Sequence, residues 1–307
     1  MLLHVEDAVR QGYSKVSIRT VDTDVVVLAV TAAGRLDIDE LWVAFGTGKN
    51  FRFLAAHEMA VALGPNKCRG LPFFHAVTGC DTVSSFGGRR KKKAWETWKA
   101  CDEVTDVTAA FCALAASPAP SAIDDHMDAL ERFVVLLYDR TSSQEHVNEC
   151  RKHLFTQTGR SIDALPPTRE ALKQHIKRAA YQAGYCWGQM MVSTPELPSP
   201  SDWGWVHTDN GWDIYWTTLP EATSATTKVW LQKGMQRTVQ VCQGCTPVHS
   251  SMSLWWGVYE RVEPCVGARE ITDANYMYVN MYTCIYACSK FCYLDLEVPL
   301  YNFDYVS

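Results

Sequence analysis

No apolar stretch in this chain of 307 residues approaches the roughly 20 residues that a membrane span requires, so a spanning role is not expected. A secretory start is missing too. MLLHVEDAVRQ carries Glu6 and Asp7 in its first turns, where an export signal has basic and then apolar residues. The expected compartment is the cytoplasm or the nucleus. Positive charge is in short supply as well: the formal net charge is −5, which argues against a protein that binds nucleic acid over its whole surface. Any such contact must be local, and the one dense basic block is Arg89, Arg90, Lys91, Lys92 and Lys93. No small-molecule cofactor is expected.

Against these absences stand two segments in the first third. Residues 21–30, VDTDVVVLAV, place Asp22 and Asp24 at the end of an expected strand. Residues 74–95, FHAVTGCDTVSSFGGRRKKKAW, place Asp81 after a helical apolar run and before Gly87, Gly88 and the basic block. These residue types suit phosphodiester chemistry with a hard divalent cation. Mg²⁺ takes near-octahedral oxygen ligands and keeps several waters, so carboxylates converging from separate segments serve it better than a closed cage. Two such ions about 4 Å apart clamp the attacking and leaving oxygens. Crowded carboxylates repel one another, a cost that bound cations offset. A Gly87-Gly88 turn lets backbone approach a phosphate, and the cations from Arg89 to Lys93 attract nucleic acid without regard to sequence. Taken alone, the block equally suits a solvated loop or a nuclear-import signal.

The pattern around these segments predicts an α/β core. KVSIRTV alternates and is β-branched, VVVLAV is a continuous apolar run of the buried-parallel-strand kind, and LWVAF is a third strand. FRFLAAHEMAVALG has helical spacing, with Leu54, Met59 and Leu63 on one side and Gly64-Pro65 as its stop. Alternating strands and helices predict a parallel sheet covered on both faces, with Asp22 and Asp24 at a strand's carboxyl end, where open sheets bind ligands.

The order strand, D-x-D, strand, helix, then G-C-D followed by small residues, glycines and basics resembles the carboxyl-terminal half of the flap endonuclease and XPG nucleases, within the PIN-like fold. The resemblance covers about residues 1–100. It implies that Asp22, Asp24 and Asp81 are ligands of Mg²⁺ or Mn²⁺, and that nucleic acid is the partner. The whole chain also looks like an amplified, uncharacterised group of animal proteins built on the same core, some associated with mobile elements. The family has further acids upstream, on an opening strand and near the helix that here reads LLHVEDAVRQGY. The expectation is therefore a truncated PIN-like sheet, a nuclease remnant rather than an active flap-type endonuclease, with an exposed pairing edge. Glu6 and Asp7 read as the solvated face of a helix, not as substitutes for the missing acids.

From 101 to 190 the chain reads as a helical extension, with TAAFCALAAS, DDHMDALERFVVLLYDR, SQEHVNECRKHLF and TREALKQHIKRAAYQAG helical by period. Asp124 and Asp125 suit a helix start. His75, His126, His146, His153 and His175 read as ordinary core or surface residues. Residues 191–222 form a Pro/Trp-rich arm in which Trp203, Trp205, Trp212 and Trp216 lie against the chain's own helices or stack on bases.

The tail, 223–307, is expected to be irregular, disordered and out of frame. The protein's twelve cysteines invite a zinc site at Cys242, Cys245, His249 and Cys265. A shifted reading explains them better. Codons for Val229, Leu231, Met235, Val239, Val241, Val248, Met252 and Leu254, read from the second base, can each encode cysteine. The result resembles the cysteine-rich tail of the amplified group, so no structural zinc and no disulfide framework are expected. Transcript sequences across the codons for Thr223 to Leu231 are expected to reveal the shift; continuous in-frame messages from several individuals would remove it.

Overall fold

The alternating KVSIRT forms β1 (Lys15–Thr20), and ELWVAF forms β2 (Glu40–Phe45), which buries Leu41, Val43 and Ala44. The two are parallel, with Ile18 opposite Val43 and Thr20 opposite Phe45. A third strand, β3 (Arg52–Ala55), pairs antiparallel with β2 through Val43 and Leu54. The order β1-β2-β3 makes a small mixed sheet instead of the expected parallel one. This computed structural model describes residues 1–101, 106–116, 118–157, 164–209 and 211–217. The readings of 223–307 as irregular, out of frame, without zinc and without disulfides, and the last five residues of the arm, 218–222, lie outside the described residues. Among the described residues β1 is paired on one side only.

Two sequence expectations change here. VVVLAV is not a strand but the body of helix α2 (Thr23–Ala33), which follows α1 (Leu2–Arg10) and β1. Val26, Val27, Ala29, Val30 and Ala32 are all buried, so the run is apolar around most of the helix and shows no 3.6-residue period. A buried helix and a buried strand look alike in such a run, and the Asp22 cap decides in favour of helix. Leu54 likewise belongs to β3, because FRFLA is strand before the helix begins.

Helix α3 (Ala56–Val77) is broken, not ended, at Gly64, whose φ of 75° suits glycine. Pro65 then restarts it at a position where a missing N–H costs nothing. Pro72, inside the second half, removes the donor that would meet the Cys68 carbonyl. The Thr31 hydroxyl of α2 takes that place, donating to Cys68 O at 3.3 Å and Val27 O at 3.0 Å.

From Gly70 to Val77 every residue of α3 is buried. Phe74 stacks on Trp98 of α4 (Lys91–Cys101) with ring centroids 4.9 Å apart, and Trp98 meets Phe111 of α5 (Val107–Ala116) edge-on at 5.0 Å. A Cβ on Gly70 would lie 3.0 Å from Phe111 Cβ, so α3 and α5 approach as closely as they do because residue 70 has no side chain. The short α6 (Pro120–Asp125), α7 (Met127–Tyr138), α8 (Val147–Thr156) and α9 (Arg169–Ala180) follow, and α9 continues as a π-helical turn, Tyr181–Cys186. One buried cluster runs from Leu2 to Trp203 through all of these. Asp124 and Asp125 close α6 and do not open α7; Asp124 is ion-paired with Lys173.

The arm forms a 3₁₀ turn, Pro200–Trp203, and a hairpin of β4 (Trp205–Thr208) and β5 (Gly211–Ile214). Trp203 is buried against Tyr185 and Tyr181, whereas Trp212 and Trp216 are exposed. No helix of the described residues is long and apolar enough to cross a membrane. Thr31→Val keeps the volume but leaves the Cys68 carbonyl without its donor; a loss of about 1–3 kcal/mol is expected from urea midpoints. An unchanged midpoint would mean that the bond contributes nothing net.

Candidate carboxylate site

β1 ends at Thr20, and the chain turns directly into α2. The Asp22 N–H donates to Thr20 Oγ1 at 3.1 Å, and Asp22 Oδ1 accepts from the Asp24 N–H at 2.8 Å as the helix cap. Both aspartates thus sit at the carboxyl end of a strand, as expected, but are placed by the helix that follows. Capping and the helix dipole account for acids at these positions. They do not account for what meets Asp24 from elsewhere.

His75, on the buried half of α3, lies with Nε2 2.7 Å from Asp24 Oδ1. Side-chain exposure is 3% for His75 and 19% for Asp24, so the contact is largely dry. Burial first, and Lys91 second, push His75 below its usual value against the pull of Asp24. The imidazole is therefore neutral near pH 7, and Nε2–H donates to the carboxylate. Its backbone is held as well: Lys91 Nζ donates to His75 O at 2.7 Å and to Thr78 Oγ1 at 3.1 Å.

Asp81 arrives on the loop after α3. Gly79 has φ +111°, and a Cβ there would lie 2.8 Å from Ser85 Cβ, so no other residue closes this turn without displacement. Cys80 and Val83 exchange backbone hydrogen bonds of 2.9 and 3.3 Å, and Thr82 Oγ1 donates to Gln182 Oε1 at 2.8 Å. The loop is thereby tied to the π-helical turn.

The three carboxylates share one electrostatic neighbourhood. Desolvation, then Asp24, raises Asp22 to about 6; Asp81 adds to the rise, and the hydrogen bond from the Asp24 N–H opposes it. Asp81 is exposed at the surface, yet partial desolvation and Asp24 raise it too. Among the described residues, however, no three His, Cys, Asp or Glu side chains come close enough to cage a metal ion. The arrangement suits a hydrated hard cation held by one or two carboxylates, not a closed protein site.

The basic block divides by role. Arg89 packs over the Tyr138 ring at 4.5 Å, Gly87 hydrogen-bonds Tyr138 through its backbone, and Lys91 is turned onto His75 O. Gly88, Arg90, Lys92 and Lys93 instead line an open cleft of about 600 Å³ with Glu96 and Arg140. Arg140 is ion-paired with Glu96 at 2.8 Å. A second cleft of about 670 Å³, at the Gly64 kink against α5, includes none of the three aspartates. Glu6 and Asp7 serve α1 alone, paired with Arg10 and Gln11 one turn on.

Arg140 is a cleft residue that sequence reasoning missed, and Lys91, read as part of the basic block, is turned inward onto His75 O. His75 is the satisfied core histidine that was expected, although no local signal named Asp24 as its partner. His175 is an ordinary core residue, bonded to Val77 O at 2.8 Å, and His146 pairs with the fully buried Glu131.

Helices packed on a small mixed sheet, with acids at the carboxyl end of an edge strand, define the class to which the chain can be assigned. Comparison with protein-family models, with curated proteins and with solved structures finds no match to this chain.

Because Asp22 is raised in the fold, its contribution is fully present below the ordinary value of 3.8 and is lost as pH rises through about 6. Asp22→Asn keeps the cap and removes the charge. Its stability is expected to equal wild type below about pH 4 and to exceed it above about pH 6 in metal-free buffer. Parallel curves across that range would show that Asp22 ionises freely.

Proposed function

We propose that this chain is the remnant of a metal-dependent, PIN-like nuclease: it binds a divalent cation weakly at Asp22, Asp24 and Asp81, holds nucleic acid at the adjoining basic cleft, and does not cleave. One observation carries the reading: Asp22, at the end of β1, is raised to about 6 by desolvation and by the charges of Asp24 and Asp81, with no cationic side chain among the causes of that shift to offset it. Mg²⁺ or Mn²⁺ is the group whose charge and oxygen preference answer that repulsion. The absence of three converging ligands among the described residues, and the one-sided pairing of β1, favour loss of catalysis.

The cation's role would be to gather the carboxylates and neutralise phosphate charge. Arg90, Lys92, Lys93 and Arg140 supply a sequence-independent grip. Arg89, Gly87 and Lys91 act in the fold beneath it. The alternative is an active Mg²⁺- or Mn²⁺-dependent flap-type endonuclease on DNA or RNA, favoured by the buried partner that orients Asp24, which binding alone does not require.

Incubation with labelled flap and single-stranded substrates in Mn²⁺ is expected to yield no cleavage above the Asp24→Ala background. Cleavage that Asp24→Ala abolishes would establish the alternative. Removing charge at Lys92, Lys93 and Arg140 is expected to weaken binding about equally across sequences and to flatten the salt dependence by about 0.7–0.9 per lost contact. Sequence-selective loss would contradict a phosphate-contact role.

A further inference from the structure

The two faces of the β1-β2-β3 sheet differ. Ile18, Leu41 and Val43 belong to the buried cluster, and strand alternation sends their neighbours to the other side. There the register sets Lys15 beside Glu40, Ser17 beside Trp42 and Arg19 beside Ala44, with Ala55 and Phe53 of β3 completing the last two rows. Lys15, Ser17 and Arg19 are exposed; Phe53 is 54% exposed, and Phe51, just before β3, is 39% exposed. Single apolar side chains on a surface need no explanation. Two rings beside a cation do: Phe51 and Phe53 meet edge to face at 5.2 Å, and the Arg19 guanidinium lies 5.7 Å from the Phe51 centroid.

The rings face water from a well-fixed backbone. Gly46 N–H donates to Thr20 O at 3.0 Å and Phe51 N–H to Gly48 O at 3.2 Å. Gly46 has φ +86°, and a Cβ there would lie 2.6 Å from Asn50 O, so the turn that delivers Phe51 closes only on glycine. Charge adds a direction. Lys15 is paired with Glu40, but neither Arg19 nor the exposed Lys49 is ion-paired among the described residues. On a chain of net charge −5, such a spot selects an anionic partner.

A partner with flat apolar faces and a negative backbone answers both features. We infer that the outer face of the sheet, at Arg19, Phe51 and Phe53, is a stacking platform for single-stranded nucleic acid, with bases on the rings and phosphate at Arg19 and Lys49. Stacking on aromatic side chains beside cations is how single strands are held without regard to sequence. Duplex bases are stacked on one another and offer no free face. A second copy of the chain fits less well, because the exposed part of the two rings is only about 200 Å², against about 800 Å² per partner in a standard interface. The platform shares no residue with the basic cleft and needs no metal.

The test uses the full chain and fluorescence anisotropy with a labelled oligothymidylate and a labelled duplex of equal length. Wild type is compared with Phe53→Tyr, Phe53→Leu, the double variant Phe51→Leu/Phe53→Leu, and Lys92→Gln/Lys93→Gln/Arg140→Gln. Leu stays apolar but loses the π-face, whereas Tyr keeps it. Urea midpoints verify that these surface changes leave the fold intact. Single-strand affinity is expected to fall about 5–150-fold in Phe53→Leu, further in the double variant and little in Phe53→Tyr, with duplex affinity unaltered in all three. Single-strand binding that survives the Gln variant but not the Phe variants would support the platform independently of the cleft.

Oligothymidylate affinity unchanged in the double variant would overturn the platform; its loss in the Gln variant alone would leave the cleft reading standing. Equal losses in Phe53→Leu and Phe53→Tyr would overturn stacking as the mode. A dimer seen by sedimentation that the double variant dissolves, with oligothymidylate affinity unchanged, would give the face to a second copy instead. Ring-dependent flotation with phosphatidylserine vesicles, without oligothymidylate binding, would give it to lipid.

Discussion

The second half of α3 is the constraint on which the molecule depends. Gly70 to Val77 is buried throughout, by α4 and α5 through the Phe74, Trp98 and Phe111 rings and by α9 through His175, while Thr31 of α2 holds the Cys68 carbonyl just before it. Burying rings of this size provides much of the free energy of folding, and their edge-on and stacked arrangement adds to it. The same segment ends in the turn that bears Asp81 and carries His75 to Asp24. Site and core are therefore one piece of structure: a change that loosens the aromatic stack also moves two of the groups on which the proposed cation site relies.

Electrostatics runs against that packing. The fold places Asp22, Asp24 and Asp81 within reach of one another's charge and partly removes water from them. Hydrogen bonds offset some of the cost, from the Asp24 N–H to Asp22 and from His75 to Asp24. What is left over shows in Asp22 at about 6. Natural folds tolerate such local conflict chiefly at functional sites, which is why the cluster, and not the larger cleft at the Gly64 kink, supports the proposed reading. The basic block shows the complementary behaviour. Two of its five cations are committed to the interior contacts of Tyr138 and His75, and the three that line the cleft gain a fourth, Arg140, from beyond α7.

Much of the architecture was legible where the pattern had a clear period. KVSIRT and LWVAF are strands, and the helices at 107–116, 127–138, 147–156 and 169–180 fall on the segments expected from spacing and breakers. VVVLAV misled because burial around most of a helix erases the 3.6-residue period, leaving a run that serves strand and helix alike. FRFLA misled in the opposite sense, since four residues are too few to separate a strand from the first turn of the helix they join. Asp22 and Asp24 lie at a strand's carboxyl end as read, but for a reason the reading did not contain, the cap of α2.

By itself, then, the amino-acid order determined which residues could form strands and helices, where Gly64-Pro65 would interrupt a helix, and which few positions bore acids and bases in quantity. Those are local properties, written in period, backbone freedom and residue type. Only the tertiary structure decided that the sheet is mixed, that Asp81 falls within electrostatic range of Asp22 and Asp24, that His75 is Asp24's partner, and that Lys91 faces inward while Lys92 and Lys93 line a cleft with Arg140. Such facts depend on contacts between separate elements, 51 positions apart for His75 and Asp24 and 16 for Lys91 and His75. No local pattern encodes them, because they follow from how the buried faces of whole elements pack together.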